Sequence, residues 1–243
     1  MMIQGNISRG WVEIQKAALP RRVRGFTLIE MLVVIAVIVV LAAMLLGMLP
    51  AINDKRTRST VRAELKQLVM AIEAYKAKHG FYPPDNANNI AAPPLFYELV
   101  GTTVTSDPNG ANTKYRPLND APDLTPQNIQ DEFGTDGFLN TGPEAREVKN
   151  FFRSLKFVPG RKEGAQFTAS PFSGNTNVFL LRVPARGPRN ATVPEAEQLN
   201  TWRYIVAKAN TSAVNPTNNP NTFDLWADVV IRGRTVSIGN WKE

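Results

Sequence analysis

Arg22-Val23-Arg24-Gly25-Phe26-Thr27-Leu28-Ile29-Glu30, continued at once by the run Met31–Leu49 (MLVVIAVIVVLAAMLLGML), decides how the rest of the chain is read. The run has 19 residues and no charged or polar side chain. At about 1.5 Å per residue a helix of that length spans about 28 Å, close to the hydrocarbon thickness of a bilayer. It is far too long for one buried strand. A transmembrane helix is therefore expected over residues 26–49. The basic residues ahead of it hold that end on the cytoplasmic face and send the C-terminal portion of the chain across the membrane. Glu30 is the only ionisable group between Gly25 and Asp54. A carboxylate at the hydrocarbon edge is costly and calls for a partner. The positive end of its own helix dipole helps it modestly.

Upstream, residues 1–25 are polar and basic. They hold five basic residues (Arg9, Lys16, Arg21, Arg22, Arg24) against Glu13, a net of +4 out of the chain's +7. The basicity is thus mostly a property of this leader, and no basic stripe interleaved with aromatics comes after it. Nucleic acid is not an expected partner. With no cysteine and one histidine, His79, disulfides, thiolate chemistry and the usual zinc sites are excluded. No nucleophile elbow, phosphate loop or dinucleotide fingerprint is present.

Downstream, Pro50 predicts a bend or brief break. Val61, Leu65, Leu68, Ile72 and Tyr75 then recur at steps of four and three, an apolar stripe on a helix. Arg58, Arg62, Glu64, Lys66, Glu73, Lys76 and Lys78 occupy the other face. Gly80 is the expected C-cap, and Pro83-Pro84 forbid continuation. His79 beside it reads as a cation at the helix C-terminus. Residues 81–175 are dense in turn formers, with one short helix expected near Glu144–Leu155. Strands are expected over Thr176–Val183, Trp202–Ala207, Phe223–Ile231 and Thr235–Ile238, the last two joined by a turn at Arg232-Gly233-Arg234. Phe223, Leu225, Ala227, Val229 and Ile231 share one face of their strand. The class is α+β, a long N-terminal helix whose second half packs on a small C-terminal antiparallel sheet. Trp202, Trp226 and Trp241 read as core and sheet aromatics.

Gly25-Phe26-Thr27-Leu28-Ile29-Glu30 ahead of an apolar run resembles the prepilin signal of type IV pilins and type II secretion pseudopilins. The resemblance implies cleavage between Gly25 and Phe26 by prepilin peptidase, N-methylation of Phe26, and a role for Glu30 in assembly. There Glu30 would pair with the new N-terminal amine of a neighbouring subunit. Glycine suits the cut because a protease can seat its bare backbone closely. An ordinary secretory signal, cut near Val40-Leu41-Ala42, leaves Glu30 and the string around it without a role.

Leu68–Tyr75, His79-Gly80-Phe81-Tyr82-Pro83 and the terminal Ile238-Gly239-Asn240-Trp241 look like the major pseudopilins in particular. So do Trp202-Arg203-Tyr204 and Phe223-Asp224-Leu225-Trp226. The resemblance implies a pilin fold. It divides the chain into a cleaved leader, 1–25, a transmembrane helix, 26–49, its amphipathic continuation, 50–80, and a periplasmic head, 81–243, with a loop-rich insert at 84–200. It implies a single-pass inner-membrane protein, no enzyme, assembled into a periplasmic pseudopilus that drives secretion. The expected partners are copies of itself, minor pseudopilins, prepilin peptidase, an inner-membrane platform protein with its ATPase, and membrane lipid. A type IV pilus subunit for adhesion, motility or DNA uptake is the nearest alternative. A membrane-anchored periplasmic enzyme or binding protein is an alternative of another class. Major pseudopilins bind calcium in an acidic loop before the terminal Gly-Asn-Trp. Here Ala227–Val236 holds Asp228 alone against Arg232 and Arg234, so no cofactor is expected. Asp131, Glu132 and Asp136 read as solvated turn residues.

Overall fold

The computed structural model describes residues 25–107, 112–154, 166–189, 199–208 and 215–241, with backbone alone over 45–52. They belong to two compact units, Met1–Leu49 and Pro50–Glu243. Helix α1 (Leu28–His79) begins in the first and ends in the second. In the first unit every described side chain from Phe26 to Met44 is exposed, from Leu28 at 83% to Met31 at 46% among the large apolar ones. So much uncovered apolar surface marks a lipid or protein contact. Among the described residues no helix is long and apolar enough to cross a membrane. The expected span to Leu49 continues past Met44 into side chains outside the described set, and the leader before Gly25 lies outside it too.

The backbone stays helical through Pro50, so the predicted break is absent. Proline removes one ladder bond, whereas ending the helix would strand a full set of terminal carbonyls and require a second nucleation. At the far end Gly80 takes φ 86° and donates its N–H to the carbonyl of Lys76 at 2.8 Å, the expected cap.

In the second unit the stripe is buried as its spacing predicts: Val61, Leu68, Ile72 and Tyr75 are fully covered and Leu65 nearly so. The same buried cluster takes in the short helix α2 (Leu95–Val100) and the inward face of a three-stranded antiparallel sheet. That sheet has the order β6 (Arg203–Val206), β7 (Phe223–Ile231), β8 (Arg234–Gly239). Tyr204 pairs with Leu225, and Val229 with Val236. Alternation along β7 buries Phe223, Leu225, Ala227, Val229 and Ile231. Arg232 at φ 50° and Gly233 at φ 73° make the two-residue turn, whose type I′ twist matches the strands it joins. Arg232 also forms an ion pair with Asp54 on α1.

The segment between is more ordered than its turn-rich composition suggests. It holds α2, α3 (Pro126–Phe133), the sheet β2 (Lys114–Pro117), β1 (Thr102–Thr105), β3 (Thr141–Gly142), and the pair β4 (Phe167–Ala169) and β5 (Phe179–Leu181). Helix α3 has a reciprocal capping box between Thr125 and Asn128, proline in its first turn, and left-handed Gly134 at its end. The helix expected near Glu144–Leu155 is absent over its described part, 144–154. Its backbone is bonded elsewhere: the Phe151 N–H donates to the Leu99 carbonyl, and Asn140 holds both the carbonyl and the N–H of Lys149. The class is α+β with an N-terminal helix.

Candidate functional site

Gly25, Phe26 and Glu30 lie together where α1 begins. Gly25 is exposed, and a Cβ added to it would meet nothing within 4 Å. The backbone at the Gly25–Phe26 bond is therefore open to approach. Thr27 is the residue that sequence reasoning missed. Its N–H and Oγ1 donate to Glu30 Oε2 at 2.8 and 2.9 Å, and its Oγ1 accepts from the Glu30 N–H at 3.2 Å. This is a capping box, and Thr-x-x-Glu ahead of an apolar run is its sequence signature. The carboxylate thus has a local partner within its own turn, which lowers the cost of placing it there. Only Oε2 is engaged; among the described residues Oε1 accepts no hydrogen bond. The box starts the helix directly after the glycine and leaves one carboxylate oxygen facing outward.

Gly239-Asn240-Trp241 forms a clasp over the start of β7. Asn240 donates from Nδ2 to the Phe223 carbonyl and accepts the Leu225 N–H on Oδ1, both at 2.9 Å. Trp241 lies flat against Gly239, where a Cβ would collide with its ring. Beside the clasp, Asp224 is buried and accepts from the backbone N–H groups of Thr217, Asn218 and Asn219 and from the side-chain amides of both asparagines, at 2.9 to 3.1 Å.

A hard cation in this region would need several free oxygen ligands. Asp224 spends both oxygens on N–H donors. Asp228, the acid of the Ala227–Val236 loop, is bonded to Arg203 at 3.3 Å and to Ser237 at 2.5 Å. These residues do not fit calcium. Asp131 and Glu132 are on α3 rather than in a turn. Glu132 is buried and accepts from Ser170 Oγ at 2.6 Å, so the reading of it as a solvated residue is corrected.

His79 stacks on Tyr75 at 4.4 Å and lies 5.7 Å from Phe151. Partial burial, and then the charge of Lys78, push its pKa down, which works against the cation expected at the helix C-terminus. Trp202 is fully buried and donates from Nε1 to Glu64 Oε1 on α1 at 3.0 Å. Burial raises the Glu64 carboxyl to about 7, against the smaller lowering effect of that bond. Deeper still, Glu98 accepts from Tyr75 Oη and from the N–H groups of Leu139 and Asn140 at 2.8 to 2.9 Å. Burial raises its pKa against those three bonds.

Comparison with known proteins gives the class first. The family described as "Prokaryotic N-terminal methylation motif" matches residues 20–46, so the chain carries the type IV pilin and pseudopilin signal. That motif implies a membrane-anchored, pilin-like protein. Beyond the class, two proteins are similar to this chain. One is the type IV major pilin protein PilE1 of Neisseria gonorrhoeae, 35% identical over 77 residues that cover 29% of this chain and 33% of the relative. The other is the type IV wide pilus major component PilA4 of Thermus thermophilus, 39% identical over 67 residues, 28% of this chain and 51% of the relative. The matched stretch spans about a third of the first relative and about half of the second. No solved structure matches the chain. In this N-terminal part the chain is thus type IV pilin-like.

Proposed function

We propose that this chain is cut between Gly25 and Phe26 by a prepilin peptidase, N-methylated on Phe26, and polymerised into the pseudopilus of a type II secretion system. The observation that carries the filament reading is the start of α1. An open glycine, a capping box and a half-engaged Glu30 stand directly before a bare apolar helix surface. In the precursor that surface spans the inner membrane over residues 26–49, with the head on the periplasmic side. In the filament the free Glu30 oxygen receives the N-terminal amine of a neighbouring copy, and the helix leaves lipid for other helices. The fold is then a pilin fold, with the second half of α1 packed on the β6–β8 sheet. The role is structural, not enzymatic. Minor pseudopilins and a platform protein with its ATPase complete the set of partners, since this chain holds no nucleotide motif.

The pseudopilus kind is favoured by the Gly239-Asn240-Trp241 clasp, which gives the resemblance to major pseudopilins a structural job. A surface pilus is the second reading, favoured because both similar proteins are type IV pilus components. Deleting the gene separates them: lost protein secretion with surface filaments intact supports the first, and lost surface filaments with secretion intact supports the second.

The processing step is tested by intact mass and N-terminal sequencing of the membrane-extracted protein. A chain starting at Phe26 and about 14 Da heavier than its sequence, one methyl group, is expected. A chain that keeps Met1, or starts near Ala43, removes the proposal. Glu30→Ala is expected to be trimmed normally yet to assemble poorly.

A further inference from the structure

Residues 51–66 carry five cations, Lys55, Arg56, Arg58, Arg62 and Lys66, and two acids, Asp54 and Glu64. Both acids turn to partners on their own molecule, Asp54 to Arg232 and Glu64 to Trp202. The cations are left outward: all are exposed except half-buried Arg58. Lys55, Arg58, Arg62 and Lys66 come at steps of three and four, so they form one ridge along α1. Ser59 and Ala63 lie between them on the same open face of the helix. Like charges at these spacings disfavour a helix, and an anionic surface laid over them relieves the repulsion. Among the described residues, no ion pair engages Lys55, Arg58 or Lys66.

The same chain carries the opposite surface. From Asp120 to Glu147 it has seven carboxylates and one cation, Arg146. Arg146 is paired with Glu144 at 2.9 Å, and Asp123 with Arg116 at 3.0 Å. Asp120, Asp131 and Asp136 remain exposed around α3. Asp131 is steadied by Gln127 Nε2 at 2.6 Å. Among the described residues, no ion pair joins this segment to Lys55, Arg58 or Lys66 within one molecule.

The geometry points to an interface between copies of this chain, in which the α1 ridge of one copy receives the acidic face around α3 of the next. Two different patches meet, so the contact is heterologous and repeats without closing. This rests on the filament reading and adds what holds neighbouring heads in register. Charge pairing of this kind sets partner orientation and weakens with salt.

The test uses the full-length chain as the sole copy in its native cell. The ridge reversal Lys55→Glu/Arg58→Glu/Lys66→Glu and the face reversal Asp120→Lys/Asp131→Lys/Asp136→Lys are each expected to cut sheared filament yield about tenfold or more. The two combined in one chain are expected to restore most of it. Arg58→Cys and Asp131→Cys, made in separate chains and expressed together, supply a second measurement. The parent lacks cysteine, so a disulfide dimer joining the two variants reports contact between copies. Filaments from the ridge reversal at parental yield, or oxidised filaments without the mixed dimer, would overturn the interface. Ridge variants that instead lose retention on anionic phosphatidylglycerol vesicles, with no mixed dimer, would assign the ridge to lipid and overturn it equally. A parent chain that forms no filament at all would sink the filament reading itself, a result the variants cannot mimic.

Discussion

Glu64 is a half-buried carboxylate with one indole N–H to compensate it. Its folded pKa lies near 7 against an ordinary 4.5. The folded chain therefore holds this proton more tightly than the unfolded chain does. The stability it adds is complete below about pH 4.5 and is lost as pH rises through about 7. Glu64→Gln keeps an acceptor for Trp202 without the charge. Its stability relative to the parent is expected to rise by about 1–3 kcal/mol between pH 5 and pH 8. Denaturant midpoints at the two pH values measure it, and a flat difference would contradict the assignment. Glu98 behaves otherwise, because three donors surround it. Glu98→Ala leaves Tyr75 Oη and two backbone N–H groups unpaired in the core. It is expected to cost about 3 kcal/mol or more, read as a drop in thermal midpoint. Neither residue was marked by the sequence, where Glu64 reads as one more charge on the polar side of α1 and Glu98 is a lone acid in the apolar stretch Leu95–Val100. Their partners Trp202, Leu139 and Asn140 lie far along the chain.

At the scale of the element, α1 and the β7–β8 hairpin were legible because each repeats a period. Steps of three and four placed Val61, Leu65, Leu68, Ile72 and Tyr75 on one face, and alternation placed Phe223 to Ile231. Leu68→Ala is expected to destabilise the head by about 2–5 kcal/mol, because the fully buried site cannot collapse. Exposed Met70→Ala, two residues away, is expected to cost under about 0.5 kcal/mol, and denaturation of the pair checks the face assignment. Gly233→Val strains a left-handed position with a β-branched residue, and is expected to cost about 1–3 kcal/mol in the same assay. The segment from 84 to 200 was poorly legible for a physical reason. Its strands run two to four residues, too short to display alternation. Helix α2 shows no polar face because every residue of it is buried. The expected strand Thr176–Val183 does hold β5, while the signal of α3, in Thr125, Pro126 and Gly134, went unread. Of the candidate site, Gly25, Phe26 and Glu30 were read from the string itself, whereas the Thr27-x-x-Glu30 capping signature in the same string went unread.

The whole molecule falls into two units that do different physical work, one with bare apolar side chains over its described residues, the other built around a core of its own. A chain starting at Pro50 is accordingly expected to fold without the first unit. It should unfold in one transition, with Trp202 leaving the core as the fluorescence probe, and two separated transitions would contradict a single core. That core is closed by residues distant in sequence. The Trp202–Glu64 bond spans 138 positions, and Tyr204 reaches back 121 to the Pro83 carbonyl. At about 5 to 20 residues per second of synthesis, roughly 7 to 28 seconds separate the emergence of Glu64 from that of Trp202. Through that interval the stripe from Val61 to Tyr75 lacks the β6–β8 sheet that completes its core. How much nascent protein survives proteases is therefore set by the pace of the ribosome, and slowing translation between residues 64 and 202 should lower yield even though the finished head is unchanged.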